Sequence, residues 1–445
     1  MKKSIFILSV LCVLSGLILA YQTSSSVEKN WPEWRGPFGN GISPDGDFPL
    51  EWSETKNIKW KVAIPGKGHS TPIIWGDQMI VTTAIETDKE GKPEAPAEGA
   101  PAKRGMPSTR STKIHKFVVM ALNPSDGKIL WQTTVTEEWP QEGTHELGSW
   151  ASNSPLTDGK NIYAYFGSRG LYCLDMKGKV LWDRDFGQLN KRMNFGEGSS
   201  PALYGDKIVV TWDHEGQSFI IALDIKTGKD VWKIDRDEGT SWSSPFIVEN
   251  NGKPQVITSA TSRIRSYDLA TGDLIWECAG MTANAIPQPV EAEGIVYIMS
   301  GYRGNALLAI RLSEAKGNIT DTDAIVWKFD KDTPYTPSPV LFENHLYFLK
   351  SNNGILSCLD AKTGEPIYSN QKLEGLGNIY TSPIVAGNKI IILGLQGMAF
   401  VVKHGSNFEI LAKNQLDDSF NSSPVVIGNT LFLRGYKNLY CIEEN

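Results

Sequence analysis

The chain has 445 residues, more than the roughly 250 to 300 over which a single hydrophobic core usually extends, so its buried surface must be divided among several modules. Its formal net charge is −6, which excludes a nucleic-acid-binding protein that depends on a strongly basic face. An anion-binding site in this protein would have to be a small cluster of basic residues rather than a whole basic face.

The N-terminus has the pattern of a secretory signal peptide. Two lysines precede an apolar run from Ile5 to Ala20, and a polar stretch follows. The run is short for a helix that spans a bilayer. Cys12 lies inside it and follows a leucine rather than a small residue, which argues against a lipoprotein anchor. We predict a signal peptide over residues 1–20 and a periplasmic or secreted protein with no integral membrane domain. An uncleaved anchor is the alternative.

After an N-terminal extension over residues 21–57, one unit recurs about every 41 to 50 residues up to residue 445. It contains a pair of small residues with a proline, then strands separated by Gly-Asp or Gly-Asn turns, and it ends near Asp-x-x-Thr-Gly-Lys-x-x-Trp. The clearest copy begins at Ser199-Ser200-Pro201 and ends at Trp232. The leading proline occurs eight times, at Pro72, Pro155, Pro201, Pro245, Pro289, Pro339, Pro383 and Pro424.

The repeat predicts an all-β, eight-bladed β-propeller with four-stranded blades, because apolar residues alternate along its strands with period two. The last unit stops before its own docking residue, whereas an orphan Ile58-Lys59-Trp60 precedes the first repeat. We therefore expect this N-terminal strand to complete blade 8 and close the ring. The residue expected to dock each blade on the next recurs as Trp131, Trp182, Trp232, Trp276, Trp327 and Tyr368, with Leu411 once.

The repeat also explains three cysteines. Cys173, Cys358 and Cys441 occupy the position that alanine holds in other copies, such as Ala121 and Ala222, so we predict small, buried and reduced core residues.

A polar insertion interrupts blade 1 over residues 86–113. Its composition is rich in Pro, Ala, Gly, Lys and Glu, which predicts a mobile surface loop. A lid over a site is the alternative.

Given the Ala-x-Asp-x-x-x-Gly-Lys-x-x-Trp signature, the chain resembles the quinoprotein propellers over nearly its whole mature length. Trp31-Pro32-Glu33-Trp34-Arg35-Gly36-Pro37 and the stretch from Gly239 to Pro245 resemble an exported bacterial group of PQQ-binding-like β-propeller repeat proteins. The true dehydrogenases are similar only in the repeats, since they carry an adjacent cysteine pair and a calcium-binding Glu/Asn/Asp set that we cannot place on this sequence. We therefore predict no cofactor, and PQQ with calcium is the alternative.

One further resemblance bears on function. The scaffold lipoprotein of the outer-membrane barrel-assembly machinery is similarly eight-bladed, but the lipid-attachment cysteine expected there has no counterpart in this sequence.

Polar and aromatic residues concentrate in the loops before the leading prolines and in the bends between second and third strands, which open on one face of such a repeat. Propeller closure requires none of these side chains, so they predict a ligand funnel. Five arginines from five blades could converge on a planar oxyanion. The alternative is that they pair with Glu146, Glu197, Asp213 and Glu215 as solvated ion pairs at the rim. We predict that substrate is bound by Arg192, Arg263, Arg303, Arg434, Trp150, Asn153, Trp242, Tyr335 and His69. The fifth arginine is Arg169.

Histidine, tyrosine and arginine in one funnel suggest an elimination reaction. Removal of the proton beside a uronate carboxylate requires a base, a cation for the developing charge and an acid. We predict catalytic roles for His145, His214 and Tyr302. The leading hypothesis is a monomeric carbon–oxygen lyase that acts on anionic, uronate-containing oligosaccharides, including sulfated ones. A non-catalytic propeller that binds glycans or proteins is the alternative, and a PQQ-dependent dehydrogenase is third.

Overall fold

The computed structural model describes residues 29–44, 46–91 and 110–444, so the predicted signal peptide and residues 92–109 of the predicted insertion lie outside it. In the described part, eight antiparallel sheets of four strands form an eight-bladed β-propeller, which confirms the predicted fold class. Its helical segments there are two 3₁₀ turns, Gly167–Arg169 and Arg192–Asn194. No helix in these residues is both long and apolar enough to cross a membrane.

Each blade has four strands, which run from the channel to the outer rim. The strands of blades 1 to 4 are Ile73–Trp75, Gln78–Glu90, Lys113–Leu122 and Ile129–Glu138; Leu156–Thr157, Asn161–Tyr165, Leu171–Asp175 and Val180–Arg184; Ala202–Tyr204, Lys207–Trp212, Ser218–Asp224 and Asp230–Arg236; and Phe246–Asn250, Lys253–Ser259, Ile264–Asp268 and Leu274–Cys278. A short strand, Gly317–Asn318, pairs in parallel with the outer strand of blade 4.

The second half of the ring repeats this arrangement. The strands of blades 5 to 8 are Val290–Ala292, Ile295–Ser300, Ala306–Arg311 and Ile325–Phe329; Val340–Phe342, His345–Leu349, Ile355–Asp360 and Pro366–Lys372; Ile384–Ala386, Lys389–Leu393, Met398–Lys403 and Ile410–Gln415; and Val425–Ile427, Thr430–Arg434, Asn438–Ile442 and Ile58–Ala63. The last of these is the N-terminal strand, in which Trp60 lies opposite Cys441, so the predicted closure of blade 8 is confirmed.

The boundaries of the predicted insertion in blade 1 need a correction. Residues 86–90 belong to the strand Gln78–Glu90, where Glu86 lies opposite His115 and Glu90 opposite Lys113. The two strands stay paired beyond the propeller core because this pairing satisfies their backbone N–H and C=O groups.

The docking tryptophans join neighbouring blades by a hydrogen bond as well as by packing. The indole Nε1 of Trp60, Trp131, Trp182, Trp232 and Trp327 donates to a carbonyl in the turn of the next blade at 2.9 to 3.0 Å. The turn glycine lies on the ring: a Cβ on Gly228 would come within 2.6 Å of Trp182, and its φ is +66°. Glycine is required there by both the backbone and the close approach.

The predicted register of the cysteines is confirmed. Cys173 lies opposite Trp182 and Cys441 opposite Trp60, as Ala222 lies opposite Trp232. Within the described residues, all four cysteines are buried and unpaired. Burial raises the pKa of the Cys173 thiol to about 12, so the thiol is unreactive near neutral pH.

A ring of hydroxyl groups surrounds the channel. At seven of the eight blade junctions, the backbone N–H of the residue before a leading proline donates to the Ser or Thr hydroxyl at the same position of another blade, at 2.9 to 3.2 Å. Gln288 replaces the hydroxyl in blade 5, and its buried Oε1 has no hydrogen-bond partner among the described residues. These bonds explain the serine or threonine before seven of the eight leading prolines.

Residues 31–43, which we call the plug, cross the channel from the face that carries the Gly-Asp turns. Trp31 forms a two-way backbone bridge with Ile74 of blade 1. Arg35, 1% exposed, donates to the carbonyls of Pro339 and Pro383 at 2.6 and 2.9 Å. Ile42–Ser43 then adds a parallel strand to blade 7. Residues 31–43 of the N-terminal extension are therefore part of the propeller core.

Glu33 in the plug makes the stability of the fold pH-dependent. Burial raises the pKa of this carboxyl group from 4.5 to about 7. A carboxyl group whose pKa is higher in the folded state stabilises that state fully at a pH below its unfolded pKa. This stabilisation is lost as the pH rises through the folded pKa. Near pH 8, Glu33→Gln should therefore be more stable than the parent by about 1 to 3 kcal/mol, and the two should converge near pH 5.

Urea unfolding at both pH values measures this difference. Glu314→Gln, at an exposed carboxylate that pairs with Arg311, is the control and should show the same pH slope as the parent, because it keeps Glu33. Equal pH slopes for the parent and Glu33→Gln would contradict the assignment.

Candidate functional site

A cavity of about 460 Å³ opens at the channel mouth, on the face predicted to carry the polar loops. We call it the funnel. Trp34 of the plug contributes to its wall and donates from Nε1 to Ser423 of the hydroxyl ring at 3.4 Å, so the plug closes the funnel from below. The loops before the leading prolines supply His69, His145, Phe195, Trp242, Tyr335, Tyr380 and Asn421, and the bends supply Tyr302 and Asn352.

One side of the funnel is aromatic. The aromatic arc consists of Phe195, Trp242, Tyr302, Tyr335 and Tyr380, which come from the consecutive blades 3 to 7. Tyr302 and Tyr335 stack with ring centres 4.8 Å apart. Trp242 is fixed by a 2.8 Å hydrogen bond from Nε1 to the carbonyl of Gly196. Such faces present rigid apolar surface at a small cost in conformational entropy.

The other side, the polar arc, consists of Asn421, His69 and His145 from blades 8, 1 and 2. His69 stacks on Tyr436 at 4.6 Å, and its buried Nε2 has no hydrogen-bond partner among the described residues. Burial, with help from the nearby Lys67 and Arg434, lowers the pKa of His69 well below its ordinary value, so the ring is neutral.

Asn421 also lacks a hydrogen-bond partner at one of its polar atoms. Its Nδ2 donates to the Leu147 carbonyl at 2.7 Å and to the Tyr436 hydroxyl at 2.8 Å, whereas its buried Oδ1 has no partner in the described part of the chain. Unpaired buried polar groups are rare in folded proteins. Two of them lie in one wall, where protein atoms cover both, so a ligand could supply the missing hydrogen bonds only after these side chains shift.

Glu197 is the carboxyl group of the described funnel wall. It accepts hydrogen bonds from the Ser168 N–H and hydroxyl at 2.8 and 2.6 Å, and burial raises its pKa. Among the described residues the wall includes no lysine or arginine side chain. Lys191 lies behind the wall, where Nζ donates to the Asp213 and Ser241 carbonyls and is 5.7 Å from the Trp242 ring centre. Burial lowers its pKa.

Five of the twelve predicted site residues line the funnel: His69, His145, Trp242, Tyr302 and Tyr335. His145 accepts a hydrogen bond at Nδ1 from the Leu147 N–H at 3.2 Å and packs edge-on against Phe195. The functional roles assigned to these five residues stay predictions.

The predicted convergence of arginines is not observed. Arg434 is buried and donates to the Ser70 and Thr82 carbonyls at 2.9 and 2.6 Å. Arg192 pairs with Glu215 at 3.3 Å, and Arg263 pairs with Glu277 at 3.1 Å. Arg169 donates to the Trp139 carbonyl, and Arg303 is exposed above the Tyr302 ring, 5.3 Å from its centre. Four of the five are therefore occupied by protein acceptors.

The remaining predicted residues hold loops together. His214 accepts from the Asn190 N–H at Nδ1 and bonds the Gln217 carbonyl at Nε2, so its lone pair is already used. Asn153 is buried and donates to the Ser199 carbonyl at 2.6 Å. Trp150 donates to the Glu142 carbonyl at 2.8 Å. None of the three is part of the described funnel wall.

Sequence reasoning missed Trp34, Glu197 and Phe195 as wall residues. Trp34 lies in a segment that occurs once, so the repeat gives no position for it. Glu197 lies three residues before the Ser200-Pro201 pair, so its place in a loop before a leading proline was the available signal.

The predicted alternative cofactor does not fit these residues. PQQ is a planar tricarboxylate, and the described wall offers aromatic faces but no guanidinium or ammonium group for its carboxylates. Calcium needs several oxygen ligands in one place, and no group of three or more candidate ligands occurs in the described residues. No step of the function below passes through a quinone.

Comparisons with known proteins agree on the fold. A family model described as outer membrane protein assembly factor BamB matches residues 115–370, more than half of the chain. Outer membrane protein assembly factor BamB of Yersinia pestis is 23% identical over 341 residues, which cover 72% of this chain and 78% of that protein.

Among solved structures, BamB from Moraxella catarrhalis has a TM-score of 0.53 at 17% identity and covers 81% of this chain and 98% of that one. A europium-containing methanol dehydrogenase has a TM-score of 0.62 at 11% identity and covers 94% and 92%. At these identities the two structures show a shared fold.

Proposed function

The chain belongs to the family described as outer membrane protein assembly factor BamB, within the PQQ-like propeller superfamily, and from this premise we propose that it is a non-catalytic binding propeller of the cell envelope. Its relatives carry the name of an assembly factor, which fits a binding role and a location in the envelope. The funnel is the proposed binding site.

The observation that carries this proposal is the composition of the funnel wall. A concave site closed below by Trp34 and lined by five aromatic residues can bury most of a small ligand. Elimination beside a carboxylate would also require a cation to stabilise the developing charge, but four of the five predicted arginines are bonded elsewhere and Arg303 is not part of the described wall. The wall is therefore better suited to binding a ligand than to catalysing this elimination.

Elimination is the second candidate function, because His145 and Tyr302 both line the funnel and could act as base and acid. It predicts that a bound oligosaccharide leaves the protein with a changed mass. The proposed binding function predicts an unchanged mass, so one experiment separates the two.

Blocking the funnel tests the proposal. A Cβ on Gly198, a wall residue, would meet only Trp242 within 4 Å, at 3.7 Å, so Gly198→Leu should fill the cavity without backbone strain. Gly239 is equally open, with Arg192 at 3.7 Å, but lies outside the wall, so Gly239→Leu is the matched control. The three proteins are incubated with a low-molecular-mass extract of bacterial cell envelopes and examined by native mass spectrometry.

We expect a non-covalent adduct on the parent and on Gly239→Leu, at least about tenfold weaker on Gly198→Leu, and released with its mass unchanged. An adduct that persists on Gly198→Leu would place binding outside the funnel. A product that has lost water would favour elimination. Either result, or no adduct on the parent, would overturn the proposal.

A further inference from the structure

We propose that the funnel binds the uncharged end of a glycan, with a pyranose ring stacked on the aromatic arc and its hydroxyl groups bonded to the polar arc. This inference rests on the proposed binding function and names the ligand class. It follows from three features of the wall: the division into two arcs, the unpaired polar atoms and the distribution of charge.

The two arcs match a ligand that is apolar on its faces and polar around its edge. Five consecutive blades present aromatic rings and the other three present polar side chains. A pyranose has this same division, because its C–H groups lie on the faces of the ring and its hydroxyls project from the edge. A purely apolar ligand would leave the polar arc unsatisfied, which is costly in a buried site.

The unpaired atoms have the chemistry of hydroxyl recognition. A hydroxyl both donates and accepts, so it matches the Asn421 Oδ1 and the neutral His69 ring at Nε2, whichever tautomer that ring adopts. Both atoms are covered by protein in the empty funnel, so each side chain must shift to expose its atom to a ligand. Hydrogen bonds of Asn421 and the stacking of His69 on Tyr436 keep both side chains beside the funnel.

The wall has a carboxyl group and no basic side chain among its described residues, which selects against anionic sugars. The Glu197 carboxyl lines the funnel, whereas Lys191 lies behind Trp242 and donates to two backbone carbonyls. A uronate would lose its hydration beside Glu197 without gaining a guanidinium or ammonium partner among the described wall residues. A neutral sugar carries no such cost.

Tryptophan fluorescence titration tests the inference, because Trp34 and Trp242 both line the site. The probes are cellotriose, mannotriose and N,N′,N″-triacetylchitotriose, with trigalacturonate as the anionic counterpart. His69→Phe keeps an aromatic ring on Tyr436 but removes the unpaired nitrogen, and Tyr302→Ala removes one face of the aromatic arc. Tyr204→Ala, at an exposed tyrosine of the first strand of blade 3, is the control.

At least one neutral trisaccharide should bind with an affinity that salt does not change, and each of the two funnel variants should weaken it about tenfold. Tyr204→Ala should bind like the parent. Binding of trigalacturonate alone, weakened by salt, would overturn the inference.

Two further outcomes separate this inference from the function on which it rests. If no trisaccharide binds but the envelope extract still yields an adduct sensitive to Gly198→Leu, the glycan class is wrong and the binding function survives. If that adduct is also absent, both fail.

Discussion

Replacing Asp213 by alanine is expected to lower the free energy of unfolding by about 3 to 5 kcal/mol, because the substitution leaves a buried guanidinium without its counter-charge. Asp213 is 1% exposed and accepts two hydrogen bonds from Arg236, at 2.8 and 3.0 Å, and one from Ser241 at 2.7 Å. Burial disfavours a charged Arg236, yet Asp213 raises the pKa of that guanidinium above its ordinary value. Without Asp213 the lowering effect of burial remains, but the intrinsic pKa of a guanidinium is so high that Arg236 stays charged at neutral pH.

The same network positions the funnel wall. The carbonyls of Asp213 and Ser241 accept hydrogen bonds from Lys191, whose ammonium group lies near the Trp242 ring. Loss of the Asp213 carboxylate should therefore loosen Trp242 as well as destabilise the fold. Any loss of ligand binding by Asp213→Ala is an indirect, positioning effect.

Urea unfolding measures the loss. Asp230→Ala is the control, because Asp230 forms a similar pair with Arg184 at a side-chain exposure of about 40% and should cost less than about 1 kcal/mol. A double variant, Asp213→Leu with Arg236→Met, should recover much of the stability because no charge is left unpaired. A cost below 1 kcal/mol for Asp213→Ala would contradict the ion-pair account.

The propeller could be predicted from the sequence because the same physical contact recurs in five of the eight blades. A tryptophan on the outer strand needs a small residue opposite it and a glycine under its ring in the next blade, and all three are visible in the repeat. Trp276 is the exception. Its buried Nε1 has no partner among the described residues, and its following blade replaces the regular turn by a longer connection.

The site was less predictable, because a loop's face does not determine where its side chains point. Arg434 lies in blade 8 as predicted, but its guanidinium turns toward the carbonyls of Ser70 and Thr82 in blade 1. Arg303 has a φ of +54°, a conformation that its sequence position did not indicate. Predictions for aromatic residues agree better with the structure than those for arginines, since large rings have few ways to be buried at a channel mouth.

The plug could not be predicted from the periodicity, because it occurs once. Its contacts join residues more than three hundred positions apart, such as Arg35 with Pro383, and no local pattern encodes them. The resemblance carried by residues 31–37 marked the segment as distinctive without indicating its place in the channel.

Arg35→Ala is expected to lower the free energy of unfolding by about 2 to 4 kcal/mol. The guanidinium donates to the carbonyls of Pro339, Pro383 and Asn40, which come from three separate segments. Truncation would leave these carbonyls without their donor and open a void in the channel. Burial lowers the pKa of Arg35 to about 9, so the fold disfavours the charged guanidinium. The substitution removes this desolvation cost. The net loss is therefore smaller than the sum of three bonds.

Urea unfolding and limited proteolysis distinguish this anchor from an ordinary surface arginine. Arg311→Ala, at an exposed residue that pairs with Glu314, should change stability by less than about 0.5 kcal/mol. Arg35→Ala should also make the plug sensitive to protease, and Trp34 should lose its fixed position below the funnel because it precedes Arg35 directly. If the plug stays protected and stability falls by less than 1 kcal/mol, Arg35 does not anchor the plug. The Trp31 bridge and the Ile42–Ser43 strand must then anchor it instead.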